Sequence, residues 1–224
     1  MSIDLVIFDC DGVLIDSEII SARMLVAALA KLGVTIDLDY VTRHFLGRSY
    51  PTVMNQIREE FGLKLPPSFE DDYRQRLLAA FEDDLQIMPH VKDVLQQLAL
   101  PYCVATSSSP MRARTSLNMV GLSELTGQKL FTSTMVARGK PAPDLFLHAM
   151  AEMGMTNPAR CLVIEDSLNG IRAGRAAGMQ VWRFTGGTHL AGRVLVEPAD
   201  ATPDKRFTSF ADFYTIAPDA LRVK

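Results

Sequence analysis

Two aspartates, Asp9 and Asp11, follow directly on the apolar run Leu5-Val6-Ile7-Phe8 and are closed by Gly12. An aspartate carboxylate can attack phosphorus and carry the phosphoryl group as an acyl phosphate, and Asp9 is the candidate nucleophile. A second acid beside it can protonate the leaving oxygen and later take a proton from water, which suits Asp11. Gly12 lets the chain turn off the run at once. Three more polar clusters stand beside apolar runs or a helix start. They are Thr106-Ser107-Ser108-Ser109-Pro110, Gly139-Lys140-Pro141-Ala142-Pro143-Asp144 and Glu165-Asp166-Ser167.

Carboxylates gathered in one place repel one another and need a cation. Mg²⁺ takes oxygen ligands, usually one or two protein carboxylates with phosphate and water. Asp9 and Asp166 can supply carboxylates, Asp11 its backbone carbonyl, and Glu165 a direct or water-mediated contact. Lys140 would add a second positive charge. The Thr106 hydroxyl and the backbone N–H groups of Ser107 and Ser108, ahead of a helix, would hold phosphate oxygens. Each cluster alone also has a purely structural reading: an Asp-Gly turn, a helix cap, a solvated lysine, a capping acid pair. Their joint occurrence, in this order, points to phosphoryl transfer.

The elements that must position these clusters are legible in the hydrophobic pattern. Residues 5–8, 102–105, 129–132, 161–164 and 181–184 form short runs of the kind found in strands covered on both faces. Helical patterns at residues 91–98 and 168–177 lie between them, the latter ending at Gly178, and Pro110 suits the first turn of a helix capped by Ser109. Strand alternating with helix predicts an α/β fold, a Rossmann-like doubly wound parallel sheet, with ligands at the carboxyl ends of the strands. Residues 17–84 break the rhythm. Helices are expected at 19–32, capped by Ser17 and stopped at Gly33, and at 40–45, 52–61 and 69–81, with no strand among them. The expected organisation is a catalytic core of residues 1–16 and 85–224, with a helical cap of residues 17–84 inserted after the first strand. A last helix is expected over residues 209–221.

The net charge of −3, without a basic run, argues against nucleic acid or a membrane surface as partner. The N-terminus lacks the basic segment of a signal peptide, and no stretch reaches about 18 consecutive apolar residues. Cys10, Cys103 and Cys161 are widely spaced and read as free core thiols of a reducing compartment. The expectation is a cytoplasmic monomer that acts on a small phosphorylated metabolite. The four histidines, His44, His90, His148 and His189, each stand alone in sequence; none is expected to meet substrate, and His44 is the one to watch.

Taken together, the four clusters resemble the four motifs of the haloacid dehalogenase superfamily. Asp9-Cys10-Asp11-Gly12-Val13 resembles the first, Thr106 the second, Lys140 the third and Glu165-Asp166 the fourth. The forms Gly-Lys-Pro-x-Pro-Asp and Glu-Asp-Ser-x-x-Gly resemble the branch that holds β-phosphoglucomutase and the sugar-phosphate phosphatases of the 6-phosphogluconate phosphatase kind. The resemblance implies a mobile helical lid, a Mg²⁺ cofactor and the roles above. It also implies that a lid loop, residues 44–49, lies over the site. Arg48 would grip an anionic group there or stand as a solvated helix-end arginine, Gly47 would allow a sharp turn or end a helix, and Glu18 and Asp16, near the hinge, would face substrate hydroxyls or cap the helix N-terminus. Dehalogenases of the superfamily lack the second acid and need no metal, so Asp11 argues against that activity. Mutases carry a histidine early in the first cap helix, where this chain has Ser21. The resemblance therefore implies a phosphatase, with a phosphosugar mutase as the alternative; outside the resemblance, a non-enzymatic phospho-aspartate switch is the alternative of another class.

Overall fold

The computed structural model describes residues 2–45 and 47–220. Its centre is a six-stranded, all-parallel sheet in the order β3-β2-β1-β4-β5-β6. The strands are β1 (Leu5–Phe8), β2 (Tyr102–Thr106), β3 (Leu130–Thr132), β4 (Cys161–Glu165), β5 (Gln180–Phe184) and β6 (Lys205–Phe207). The helices are α1 (Glu18–Ala30), α2 (Leu38–His44), α3 (Tyr50–Phe61), α4 (Phe69–Asp84), α5 (Val91–Gln97), α6 (Pro110–Met119), α7 (Ser123–Thr126), α8 (Asp144–Glu152), α9 (Leu168–Ala176) and α10 (Phe213–Ile216).

Every residue of β1 is buried, because both faces of the sheet are covered. Val6 and Phe8 point into one apolar cluster and Leu5 and Ile7 into the other. The same alternation runs through β4, with Leu162 and Ile164 on the first side and Cys161 and Val163 on the second. Burial of a side chain such as Phe8 stabilises the fold by about 1.5–3 kcal/mol. The first cluster continues without a break into α1 to α4 through Leu25, Leu29, Met54, Leu77 and Phe81. All three cysteines are buried and free.

Strand order reverses at β1, which has β2 on one side and β4 on the other. Open α/β sheets bind ligands at such a switch point, beyond the carboxyl ends of the strands. Register sharpens this placement. Phe8 pairs with Val104 and with Ile164, so Asp9 emerges beside Ala105 and Glu165. The Asp9 N–H donates to the Ile164 carbonyl at 2.9 Å.

Residues 17–84 hold α1 to α4 and, among the described residues, no strand. Two chain segments join them to the sheet side by side. The Asp16 N–H donates to the Gln86 carbonyl and the Met88 N–H to the Leu14 carbonyl, each at 2.9 Å, and Ile15 bridges Ile87 in antiparallel fashion.

Three expectations require correction. Ser17 does not cap α1: its backbone is helical, it makes no capping bond, and its hydroxyl donates instead to Asp11 Oδ1 at 2.6 Å. The strand β6 was not anticipated, because Lys205 and Arg206 are exposed at the sheet edge and only Phe207 is buried. Charged side chains suit an edge strand but erase its apolar signal. The last helix breaks into a 3₁₀ turn at Phe210–Asp212, the single turn of α10 and a 3₁₀ turn at Pro218–Ala220. Pro218 disfavours helical backbone in the residue before it, and Ala217 is non-helical. Leu221, at the end of that expected helix, lies outside the described residues, as does Leu46 of the expected lid loop.

Candidate active site

Lys140 is the centre of charge. Its side chain is 1% exposed, and Nζ donates to Asp9 Oδ1 at 2.7 Å, Glu165 Oε1 at 2.8 Å and the Ala105 carbonyl at 3.0 Å. Phe146 of α8 lies beneath the ammonium, 4.7 Å from Nζ to the ring centroid. Desolvation would discharge such a lysine, but Asp9 and Glu165 outweigh it and hold the pKa above the ordinary lysine value.

Asp9, Glu165 and Asp166 are buried, with carboxylate oxygens within 4.8 Å of one another. Burial, then the other carboxylates, push Asp9 well above the usual carboxylate range, and Lys140 only partly opposes this. Asp166 is raised by burial and then by Glu165. Three acids facing one ammonium leave an excess of negative charge. Asp166 Oδ2 is buried without a hydrogen bond among the described residues. An orphaned anionic oxygen beside two more carboxylates is the donor set a hard dication takes, so the residues fit Mg²⁺. Glu165 is the most committed of the three. Oε1 faces Lys140, and Oε2 accepts from the Ser167 N–H at 2.8 Å and the Ser167 hydroxyl at 3.0 Å.

Two glycines make room for these acids. A Cβ on Gly12, whose φ is +78°, would fall 2.2 Å from Asp166 Oδ2. A Cβ on Gly170 would fall 1.7 Å from Glu165 Oε1. The glycine of Glu-Asp-Ser-x-x-Gly is therefore the floor on which Glu165 lies.

Asp11 is held by four donors. Oδ1 accepts from Ser17 Oγ at 2.6 Å and Arg112 Nη2 at 2.8 Å. Oδ2 accepts from Ser108 Oγ at 2.7 Å and Thr106 Oγ1 at 3.3 Å. Burial raises the carboxyl, but Arg112 and the three hydroxyls outweigh it and leave Asp11 below the usual carboxylate range. The Ser108 N–H, expected to be free for phosphate, donates to Thr106 Oγ1 at 3.1 Å.

A cavity of about 400 Å³ opens between these residues and α1, α3 and α4. Asp9, Asp11, Thr106, Ser107 and Ser108 form its floor. Gly47 reaches it from the other side: the Ser107 hydroxyl donates to the Gly47 carbonyl at 3.3 Å, and a Cβ on Gly47 would fall 2.4 Å from Ser167 Oγ. Glu18 lines the cavity and is pushed up to about 8, by burial and then by Asp11 and Asp166, so it is largely uncharged at neutral pH. Arg48 also lines the cavity, with its guanidinium tied to Gln56 Oε1 at 2.7 Å. Two of the residues considered lie away from the cavity. Asp16 accepts from the Thr188 N–H at 3.2 Å and the Thr188 hydroxyl at 3.0 Å, outside the cavity. His44 is exposed and lies against Tyr40, with ring centroids 4.4 Å apart and planes tilted by 32°.

Three further residues join the site. Arg112, in the first turn of α6, reads in sequence as an ordinary surface arginine, and nothing there shows that it reaches Asp11. Arg183 of β5 donates from Nε to the Asp166 carbonyl at 3.0 Å and from Nη1 to Glu197 Oε1 at 2.9 Å. His189 is 2% exposed, with Nε2 2.8 Å from Asp166 Oδ2 but not aligned for a hydrogen bond. The pair Gly186-Gly187 ahead of it was the available signal: a Cβ on Gly187 would fall 2.6 Å from the imidazole Cε1.

An open parallel sheet with an acidic cluster at its switch point defines an α/β enzyme. A family model described as haloacid dehalogenase-like hydrolase matches residues 3–178. The chain belongs to that family. It is 29% identical over 201 residues to 6-phosphogluconate phosphatase of Escherichia coli (strain K12), covering 89% of this chain and 90% of that one. It is 31% identical over 191 residues to a probable pseudouridine-5'-phosphatase of Drosophila melanogaster, covering 78% of each. Among solved structures, a conserved haloacid dehalogenase-like protein from Agrobacterium tumefaciens str. C58 superposes with a TM-score of 0.79 at 33% identity, covering 97% of this chain and 99% of that one.

Proposed function

We propose that this phosphoric monoester hydrolase acts with Mg²⁺ on a small phosphorylated sugar or sugar acid, through an aspartyl-phosphate on Asp9. The observation that carries this reading is Lys140 bridging Asp9 and Glu165, with Asp166 alongside and Asp11 two residues from the nucleophile.

In the first half-reaction an Asp9 carboxylate oxygen attacks phosphorus, and Asp11 gives a proton to the leaving ester oxygen. In the second, Asp11 takes a proton from water as that water attacks phosphorus, and Asp9 is released. Lys140 holds Asp9 in the attacking orientation and balances charge on the phosphoryl oxygens. Thr106 and Ser107 contact those oxygens. Asp9 and Asp166 would hold Mg²⁺ with the Asp11 carbonyl, and Glu165 would support them. The bound cation neutralises the phosphoryl charge, which lets an anionic nucleophile approach an anionic ester. The contacts that hold Asp11 ionised in the empty site suit its later role towards water; for the first half-reaction it takes up a proton as the ester enters and displaces those contacts, and that proton goes to the leaving oxygen.

One observation favours hydrolysis over mutase chemistry. Ser21 Oγ, at the position where mutases of this branch carry a histidine, donates to the Ser17 carbonyl at 2.9 Å and accepts from Arg112 Nη2 at 3.1 Å. Neither a serine hydroxyl nor a guanidinium exchanges protons near neutral pH. Residues 17–84 are taken as a lid moving on the core of residues 1–16 and 85–224. The buried free thiols favour a cytoplasmic setting. Among the described residues, no helix is long and apolar enough to cross a membrane.

The test is a screen of phosphorylated sugars, sugar acids and nucleotides for phosphate release, with and without Mg²⁺. A β-glucose 1-phosphate to glucose 6-phosphate assay runs beside it. Mg²⁺-dependent release from a sugar or sugar-acid ester is expected. Isomerisation without phosphate release would establish the mutase, and a stable phospho-aspartate without turnover the switch.

A further inference from the structure

Arg112 belongs to the core but serves three elements. It starts from α6, donates to Asp11 after β1 and to Ser21 on α1, and lies over the Phe81 ring of α4, 5.4 Å from Cζ to the centroid. The side chain lines the cavity and is 22% exposed.

Its hydrogen bonding is incomplete in a telling way. Arginine binds a carboxylate best along the edge formed by Nε and one terminal nitrogen, with two parallel N–H···O bonds. Among the described residues three other arginines do so, Arg206 with Nε to Glu197 Oε1 at 2.8 Å and Nη2 to Oε2. Arg138 donates from Nε and Nη2 to the two oxygens of Asp144, at 3.1 and 2.8 Å. Arg172 donates from Nε and Nη2 to the two oxygens of Asp200, at 2.7 and 3.3 Å. Arg112 uses the same edge only by half. Nη2 serves Asp11 Oδ1 and Ser21 Oγ, while Nε–H is buried and has no acceptor among the described residues. Asp11 cannot fill that edge, because its Oδ2 is committed to Ser108 and Thr106. Nε has almost no exposed surface in the empty site, so the guanidinium edge must turn toward the cavity before a carboxylate completes the fork; a buried donor without an acceptor costs about 1–3 kcal/mol, which rewards that turn.

We infer that Arg112 is a specificity-determining residue that seats a carboxylate of the substrate on its Nε–Nη2 edge. This rests on the proposed ester hydrolysis. Because Arg112 touches Asp11, and Asp11 meets the leaving oxygen, the carboxylate must lie within a few bonds of the ester oxygen. The favoured substrates are therefore phosphate esters of short hydroxy acids, or of sugar acids with the carboxylate close to the phosphate. Seating the carboxylate also replaces Asp11 on Nη2 and frees that acid to turn to the leaving oxygen. No bond is made or broken by Arg112 in this exchange.

Matched esters test this directly. Glycerate 2-phosphate and glycerol 2-phosphate differ only by a carboxylate in place of a hydroxymethyl group. The parent enzyme with Mg²⁺ should favour the glycerate ester in kcat/KM by at least about tenfold, the range of a charge-assisted fork. Arg112→Gln should shrink that ratio to within about twofold, and Arg112→Lys, which keeps the charge but not the fork, should fall between. Circular dichroism melting checks that both variants are folded; should Arg112→Gln fail to fold, the ratio for Arg112→Lys decides. A parent that hydrolyses esters without preferring the carboxylate member, or a preference that survives in a folded Arg112 variant, overturns the inference. A parent that hydrolyses no phosphate ester at all overturns the proposed function instead.

Discussion

Replacing Lys140 with Met tests how charge is balanced at the site. Methionine keeps most of the buried length and the contact with Phe146, so little volume is lost. What goes is the ammonium between Asp9 Oδ1 at 2.7 Å and Glu165 Oε1 at 2.8 Å, in a place where the lysine side chain is 1% exposed. Removing one partner of a buried ion pair costs about 3–5 kcal/mol, because the other charge is left uncompensated. Proton uptake by Asp9 or Asp166 will return part of that. Urea unfolding without metal should therefore show a loss of about 3 kcal/mol relative to the parent. Mg²⁺ supplies positive charge to the same carboxylates. A ligand at a hundred times its Kd stabilises by about 2.7 kcal/mol, and the variant should gain at least that on titration with Mg²⁺. Turnover should fall by about 10²–10³, as for loss of one positioned transition-state donor. A metal-free loss below about 1 kcal/mol would refute the reasoning: the acids would then be neutral already, and Lys140 would balance nothing.

Other perturbations probe single contacts. Gly12→Ala places a methyl group 2.2 Å from Asp166 Oδ2 at a φ of +78°, so the backbone costs about 1–2 kcal/mol and Mg²⁺ affinity by calorimetry should drop about tenfold; unchanged affinity would show that Asp166 is not a ligand. His189→Ala removes the ring packed beside Asp166 and should weaken Mg²⁺ about tenfold to a hundredfold while leaving the metal-free melting temperature within a few degrees. Equal Mg²⁺ binding by that variant and the parent would reduce His189 to core filling. Asp11→Asn should lower turnover about 10²–10⁴-fold and let phosphorylated enzyme accumulate, read by rapid quench; parental rates would remove Asp11 from the mechanism.

Where burial and chemistry coincide in one segment, the fold and site are visible in the residues. The runs at 5–8, 102–105 and 161–164 are apolar throughout, because those strands are covered on both faces, and each hands over to polar residues at the carboxyl edge. Five of the six strands follow from that one signal. β6 does not, since Lys205 and Arg206 point to solvent at the edge. Ser17 carries the sequence signature of a helix cap, yet Asp11 Oδ1 competes for its hydroxyl and wins at 2.6 Å. Arg112 and His189 are illegible for a different reason. Their partners lie 101 and 23 positions away in the chain, so only the folded molecule, with α6 packed on α4 and the Thr188–Leu190 turn on α1, reveals them. Asp16 and His44 show the opposite case. Both stand near cavity residues in sequence, but Asp16 is claimed by Thr188 and His44 by Tyr40.

The nucleophile can be tested by trapping. The enzyme is mixed with radiolabelled phosphate ester and Mg²⁺, quenched in acid during turnover, and digested for peptide mapping. Label should appear on the peptide that contains Asp9, be released by hydroxylamine as acyl phosphates are, and be absent from a folded Asp9→Asn variant that no longer turns over. Label on any other residue, or continued turnover by Asp9→Asn, would contradict the account.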